Sequence, residues 1–72
     1  MNYKKLYDSI IMSAKERLKI DGYYETHHIL PRSLGGTDDS NNLVDITARE
    51  HFILHYLLVK ITDGNDRIKM LH

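Results

Sequence analysis

Apolar side chains recur over residues 3–19 at Tyr3, Leu6, Tyr7, Ile10, Ile11, Ala14 and Leu18. Steps of three and four put them on one face of an α-helix. Lys4, Lys5, Asp8, Lys15, Glu16, Arg17 and Lys19 fall mainly on the other faces. Asp21-Gly22 is the expected stop, because glycine accepts the left-handed conformation used at helix C-caps. Residues 1–20 therefore read as an N-terminal amphipathic helix.

The pattern changes after Gly22. Tyr23, Tyr24, Thr26 and Ile29 are aromatic or β-branched and predict a short strand. Pro31 has no amide hydrogen and ends or edges that strand. Residues 34–42 are dense in Gly, Asp, Ser and Asn and predict a loop. Leu43-Val44-Asp45-Ile46 reads as a returning strand, so the hairpin is wide. Thr47-Ala48-Arg49-Glu50 has the form of a capping box. The helix it opens is apolar nearly all round from His51 to Val59 and is expected to be largely buried. Thr62-Asp63-Gly64-Asn65 breaks it, and Ile68 and Leu71 make residues 65–72 read as the start of a further helix, cut off by the chain end. The fold class expected is α+β, one domain over residues 1–72.

Composition narrows the function classes. A chain of 72 residues hides only about 60% of the surface its unfolded form exposes. A core of that size commonly needs a disulfide, a metal or a partner. With no cysteine, disulfides and thiolate metal sites are excluded. Ten basic and ten acidic residues cancel, so the total charge does not announce binding to a polyanion. The chain is 42% hydrophobic and 28% charged, a globular rather than disordered composition. No apolar run approaches the ~20 residues of a membrane span, and no signal peptide is evident, so the expectation is a soluble cytoplasmic protein with no membrane partner.

Histidine changes the picture: five in 72, four of them in the pairs His27-His28 and His51-x-x-x-His55. On the capped helix, His51 and His55 lie one turn apart on one face, where two imidazoles can close on one metal ion. On a strand, His27 and His28 point to opposite sides, so one can face a metal and the other a substrate. If the hairpin packs on the helix, three histidines converge and one is left over. Plainer readings exist for each part. His51 and His55 can be satisfied helix histidines, Asn42 a turn residue and Glu50 a cap. The lysines can be a solvated face and Gly35-Gly36 a turn. A closed four-histidine structural zinc site is disfavoured because adjacent strand residues rarely bind the same ion.

Three segments together resemble a known family: Glu25-Thr26-His27-His28-Ile29-Leu30-Pro31-Arg32-Ser33-Leu34-Gly35-Gly36, then Asn42-Leu43-Val44, then Glu50-His51-Phe52-Ile53-Leu54-His55. They look like the HNH endonuclease motif, closest to its variant in phage homing-type endonucleases, with colicin nuclease domains as more distant relatives. The likeness covers about residues 23–60. Thirteen residues separate His28 from Asn42, eight separate Asn42 from His51 and three separate His51 from His55. The resemblance implies a ββα-metal fold and metal-dependent DNA cleavage to 5′-phosphate and 3′-hydroxyl ends. It implies His28 as general base, Asn42 as the brace that orients it, and His27, His51 and His55 as metal ligands. His27 stands where the family more often carries an acidic residue, as in the colicin-like branch.

The chemistry fits these residue types. An imidazole of ordinary pKa can take a proton from water near neutrality. Three protein ligands leave a coordination position open for a phosphate oxygen. Three imidazoles suit Zn²⁺, Ni²⁺ or Mn²⁺ better than Mg²⁺, although Mg²⁺ or Mn²⁺ remains the candidate working ion. Glu25 is placed to support a ligand, and Arg32 to contact a phosphate oxygen. The expected partner is DNA. Because the chain is electrically neutral, its DNA-binding elements are expected C-terminal to His72. The rival reading is a non-catalytic module, folded by its ion, that binds nucleic acid or protein.

Overall fold

The computed structural model describes residues 2–62. Helix α1 spans Tyr3–Glu16. Strand β1, Glu25–His28, pairs antiparallel with β2, Leu43–Ile46, and between them lie two single-turn 3₁₀ helices, Arg32–Leu34 and Ser40–Asn42. Helix α2 spans Ala48–Ile61. This is the expected α+β arrangement of a helix, a hairpin and a second helix; the helix start anticipated over 65–72 lies outside the described residues.

Register decides what the hairpin shows to the helices. Glu25 pairs with Ile46, Thr26 with Asp45, His27 with Val44 and His28 with Leu43. Opposed residues share a face of an antiparallel pair, and successive ones alternate. Glu25, His27, Val44 and Ile46 therefore face one way, and Thr26, His28, Leu43 and Asp45 the other. The first face is the buried one. Val44 and Ile46 join Tyr7, Ile11 and Ala14 of α1 and Leu54, Leu57 and Leu58 of α2 in the core, with Ile46 and Leu54 wholly enclosed. On the outer face the Thr26 hydroxyl donates to the Asp45 carboxylate at 3.1 Å.

Three sequence expectations are corrected. Helix α1 ends at Glu16, two residues before Leu18, the last of its apolar pattern, because Arg17 is extended (ψ 131°). From there its guanidinium reaches the Glu50 carboxylate and the Asp45 carbonyl. Leu18 is left fully exposed, and Gly22 (φ +95°) turns the connection instead of capping the helix. Strand β1 begins only at Glu25, with Tyr23 and Tyr24 exposed before it. Helix α2 is buried on one face alone: Phe52 and Tyr56 are 75% and 54% exposed, since α1 and the hairpin cover only the side carrying Leu54, Leu57 and Leu58.

The capping box of α2 is present in full. The Glu50 amide donates to the Thr47 hydroxyl at 3.1 Å and the Thr47 amide to the Glu50 carboxylate at 2.8 Å. It fixes where the first turn of α2 starts, and hence where His51 stands against β1.

Candidate metal centre

His27, the one buried polar or charged residue among the described residues, leans from β1 toward the first turns of α2. Its ring centroid lies 5.5 Å from that of His51 and 6.0 Å from that of His55, and the two helix rings are 4.6 Å apart. Each ring offers one nitrogen such that all three lie within 4.8 Å of one another. The group runs from buried His27 through half-buried His51 to exposed His55, so it opens to solvent on the helix side. There, His51 and His55 line a shallow concavity with Ala48 and Phe52. The group could hold a metal ion.

The donor set suits one. Burial, then the neighbouring charges of His51, His55 and His28, push the His27 pKa down to about 4. Burial, then His51, lowers that of His55. Both shifts favour the neutral imidazole that a metal needs. His51 Nδ1 lies 2.8 Å from Glu25 Oε1. A carboxylate only accepts, so Nδ1–H donates and His51 keeps Nε2 for a ligand role, a common arrangement around metal-bound histidine. The Tyr23 hydroxyl donates to the other Glu25 oxygen at 2.8 Å. The hydrogen bonds from Tyr23 and then His51 hold the Glu25 carboxyl below the usual range.

His28 lies outside this group, on the opposite face of the hairpin. Its Nε2 is 2.8 Å from Asp38 Oδ1, and the hydrogen bond from His28 lowers the Asp38 pKa. Arg32 points to the same carboxylate, with Nε 4.0 Å away and its side chain 71% exposed. Asn42 ties the two ends of the loop together. Its Oδ1 accepts from the Leu30 amide at 2.9 Å, and its Nδ2 donates to the carbonyls of Leu30 (3.1 Å) and Thr37 (2.8 Å). Its backbone carbonyl accepts from the Ile29 amide at 2.8 Å.

Two residues at the centre went unmarked in the sequence. Asp38 sits in a turn-rich loop, where nothing in its spacing from His28 distinguishes it from Asp39. Tyr7 lies in the apolar stripe of α1, yet its hydroxyl is 2.8 Å from His27 Nε2 and 2.7 Å from the Ile29 carbonyl. The available signal was that a buried tyrosine hydroxyl needs a polar partner.

Known proteins resemble the chain in sequence. "Probable mobile endonuclease E" of Enterobacteria phage T4 is 56% identical over 61 residues, 85% of this chain and 43% of that protein. "Probable mobile endonuclease D" of the same phage is 52% identical over 65 residues, 85% of this chain and 25% of that protein. "Probable mobile endonuclease C" is 45% identical over 67 residues, 89% of this chain and 32% of that protein. The chain thus spans less than half the length of these relatives. No protein-family model matches it, and no solved structure matches it. No helix among the described residues is long and apolar enough to cross a membrane.

Proposed function

We propose that this chain is the metal-dependent DNA-cleaving unit of an HNH-type endonuclease, with residues 23–60 as its ββα-metal motif. The observation that carries the reading is the gathering of His27, His51 and His55, with ligand nitrogens within 4.8 Å of one another, while His28 stands outside with a carboxylate of its own. The relatives, named as probable mobile endonucleases, support a nuclease and hence DNA as substrate. His27, His51 and His55 would hold one divalent ion, Zn²⁺, Ni²⁺ or Mn²⁺ by ligand preference, with Mg²⁺ as a weaker fit. When bound, that ion supplies Lewis-acid stabilisation of the phosphate and of the leaving 3′ oxygen.

The protein's own groups do the rest. Asp38 can only accept, so His28 donates through Nε2–H and keeps the Nδ1 lone pair free. His28 Nδ1 takes the proton of the attacking water, and Asp38 holds the ring in that tautomer and steadies the imidazolium that forms. Asn42 maintains the loop on which Asp38 sits. Arg32, beside Asp38, donates to a phosphate oxygen. In-line hydrolysis then leaves 5′-phosphate and 3′-hydroxyl ends. The neutral charge of the chain supports a division of labour in which this unit cuts and other basic surface holds the duplex.

The test is a plasmid-cleavage assay with Mg²⁺, Mn²⁺ or Zn²⁺, run on the wild type and His28→Ala, with metal content measured on both. Cleavage by the wild type alone, with equal metal content, supports the reading. Loss of metal from His28→Ala overturns the role of His28. Metal binding without cleavage by the wild type points instead to a module that only binds.

A further inference from the structure

Helix α1 lies outside the residues that resemble the nuclease motif, yet it sends one polar atom to the histidine cluster. The Tyr7 side chain is 3% exposed, and its hydroxyl contacts two groups: the Ile29 carbonyl oxygen at 2.7 Å and His27 Nε2 at 2.8 Å. A tyrosine hydroxyl has a single hydrogen. A carbonyl has none, and two oxygens 2.7 Å apart need one between them. The Tyr7 proton therefore lies on the bond to Ile29. Toward His27 the hydroxyl has only a lone pair to offer, so the proton of the second bond belongs to the ring, on Nε2.

We infer that Tyr7 is a positioning residue that locks His27 as the Nε2–H tautomer, so that His27 offers a metal ion Nδ1. His51 then binds differently from His27. His51 gives its Nδ1–H to Glu25 and is left with Nε2, so the two anchored rings present opposite nitrogens to one ion. The lock is rigid for reasons on the page. Ile29 directly follows β1 and its amide is held by the Asn42 carbonyl at 2.8 Å, so the acceptor that orients the Tyr7 hydroxyl is itself fixed. Tyr7 is itself buried, in one core cluster with Ile11, Ala14, Val44 and the α2 leucines. Outer partners of this kind set the tautomer and basicity of a ligating imidazole. The inference rests on the metal-site reading above, and it makes α1 a part of that site instead of a flanking support.

The experiment reads the ring nitrogens of His27 by long-range ¹H–¹⁵N NMR on the metal-free chain, then titrates Zn²⁺ by calorimetry into the wild type and Tyr7→Phe. A protonated Nε2 in the metal-free wild type, an Nδ1 resonance that moves with Zn²⁺, and a mixed-tautomer His27 with about 10- to 100-fold weaker Zn²⁺ binding in Tyr7→Phe support the inference. The metal-free NMR result needs no variant, so a poorly folded Tyr7→Phe does not blunt the test. Zn²⁺ binding through Nε2, or undiminished binding by Tyr7→Phe, overturns the inference and leaves the metal site standing. A wild type that binds no Zn²⁺ overturns the metal-site reading and the inference with it.

Discussion

Arg17 holds Glu50 with both arms: Nη1 donates to Oε2 at 3.0 Å and Nη2 to Oε1 at 2.8 Å. The same Glu50 side chain accepts the Thr47 amide and closes the capping box of α2. One carboxylate thus ties the residue that ends α1 to the turn that begins α2, one residue before His51.

That bond, first among its causes, holds the Glu50 carboxyl below its ordinary pKa. A lowered pKa means stability that is present at neutral pH and lost as pH falls through the carboxylate range. Arg17→Ala is expected to raise the Glu50 pKa toward its ordinary value, to move acid unfolding to higher pH and to lower the melting temperature. NMR titration of the Glu50 carboxyl checks it. Thr47→Ala removes the reciprocal cap and should cost about 1 kcal/mol by denaturant unfolding.

Removing the metal should have a large effect. A chain with a core of this size draws on ligand binding for stability. At a free ion concentration 1,000 times Kd, binding adds about 4 kcal/mol. Chelation should lower the melting temperature of the wild type by well over 10 °C and leave a His51→Ala/His55→Ala variant unmoved. A superimposable wild-type melting curve after chelation refutes the ligand set.

The metal-free chain should respond to pH through His27. Its pKa is held at about 4, against an ordinary 6.5, by burial first. Between those values the unfolded state binds the proton and the folded state does not, so stability rises with pH across that window. The contribution is complete above 6.5 and lost as pH falls toward about 4. It amounts to about 3 kcal/mol at most. Urea unfolding at about pH 7, 6, 5 and 4 should show that slope in the wild type and a flatter one in His27→Leu.

Adjacent glycines should tolerate substitution unequally. A Cβ on Gly36 would sit 1.7 Å from the Leu30 carbonyl oxygen, and Leu30 is backbone that Asn42 holds. A Cβ on Gly35 meets nothing within 4 Å and suffers only from φ +95°. Gly36→Ala should cost well over about 1 kcal/mol and loosen the Asn42 bonds, whereas Gly35→Ala should cost about 1 kcal/mol. Unfolding midpoints in the opposite order would show that the loop does not close on Leu30 as described.

The enclosed core gives the simplest magnitude. Leu54 has no exposed surface. Leu54→Ala should cost about 2–5 kcal/mol, which rivals the whole stability of a domain this small. The variant should be folded only with metal bound, which far-ultraviolet circular dichroism with and without Zn²⁺ can read.

Periodicity was enough to place α1, the hairpin and α2, because apolar spacing reports which side of an element avoids water. The capping box was legible to the residue, because Thr47 and Glu50 act within a single turn. The ends of elements were not. Leu18 continues the apolar stripe of α1, but Arg17 leaves the helix for Glu50, more than thirty residues on, and no local pattern encodes that reach. Phe52 and Tyr56 failed for the converse reason. An apolar side chain states a preference for burial, while the number of elements available to cover it is a property of the whole.

The histidine cluster divides along the same line. The sequence by itself determined that His51 and His55 share a helix face and that His27 and His28 part across a strand, since both follow from fixed backbone geometry. Only the tertiary structure decided that His27, not His28, is the ring turned inward. The pairing of β1 with β2 puts His27 on the face of Val44 and Ile46, and those two side chains must be buried. It likewise chose Tyr7, Glu25 and Asp38 as the partners of the rings. Such contacts join residues far apart in the chain, and burial of the shared core is what brings them within hydrogen-bond range.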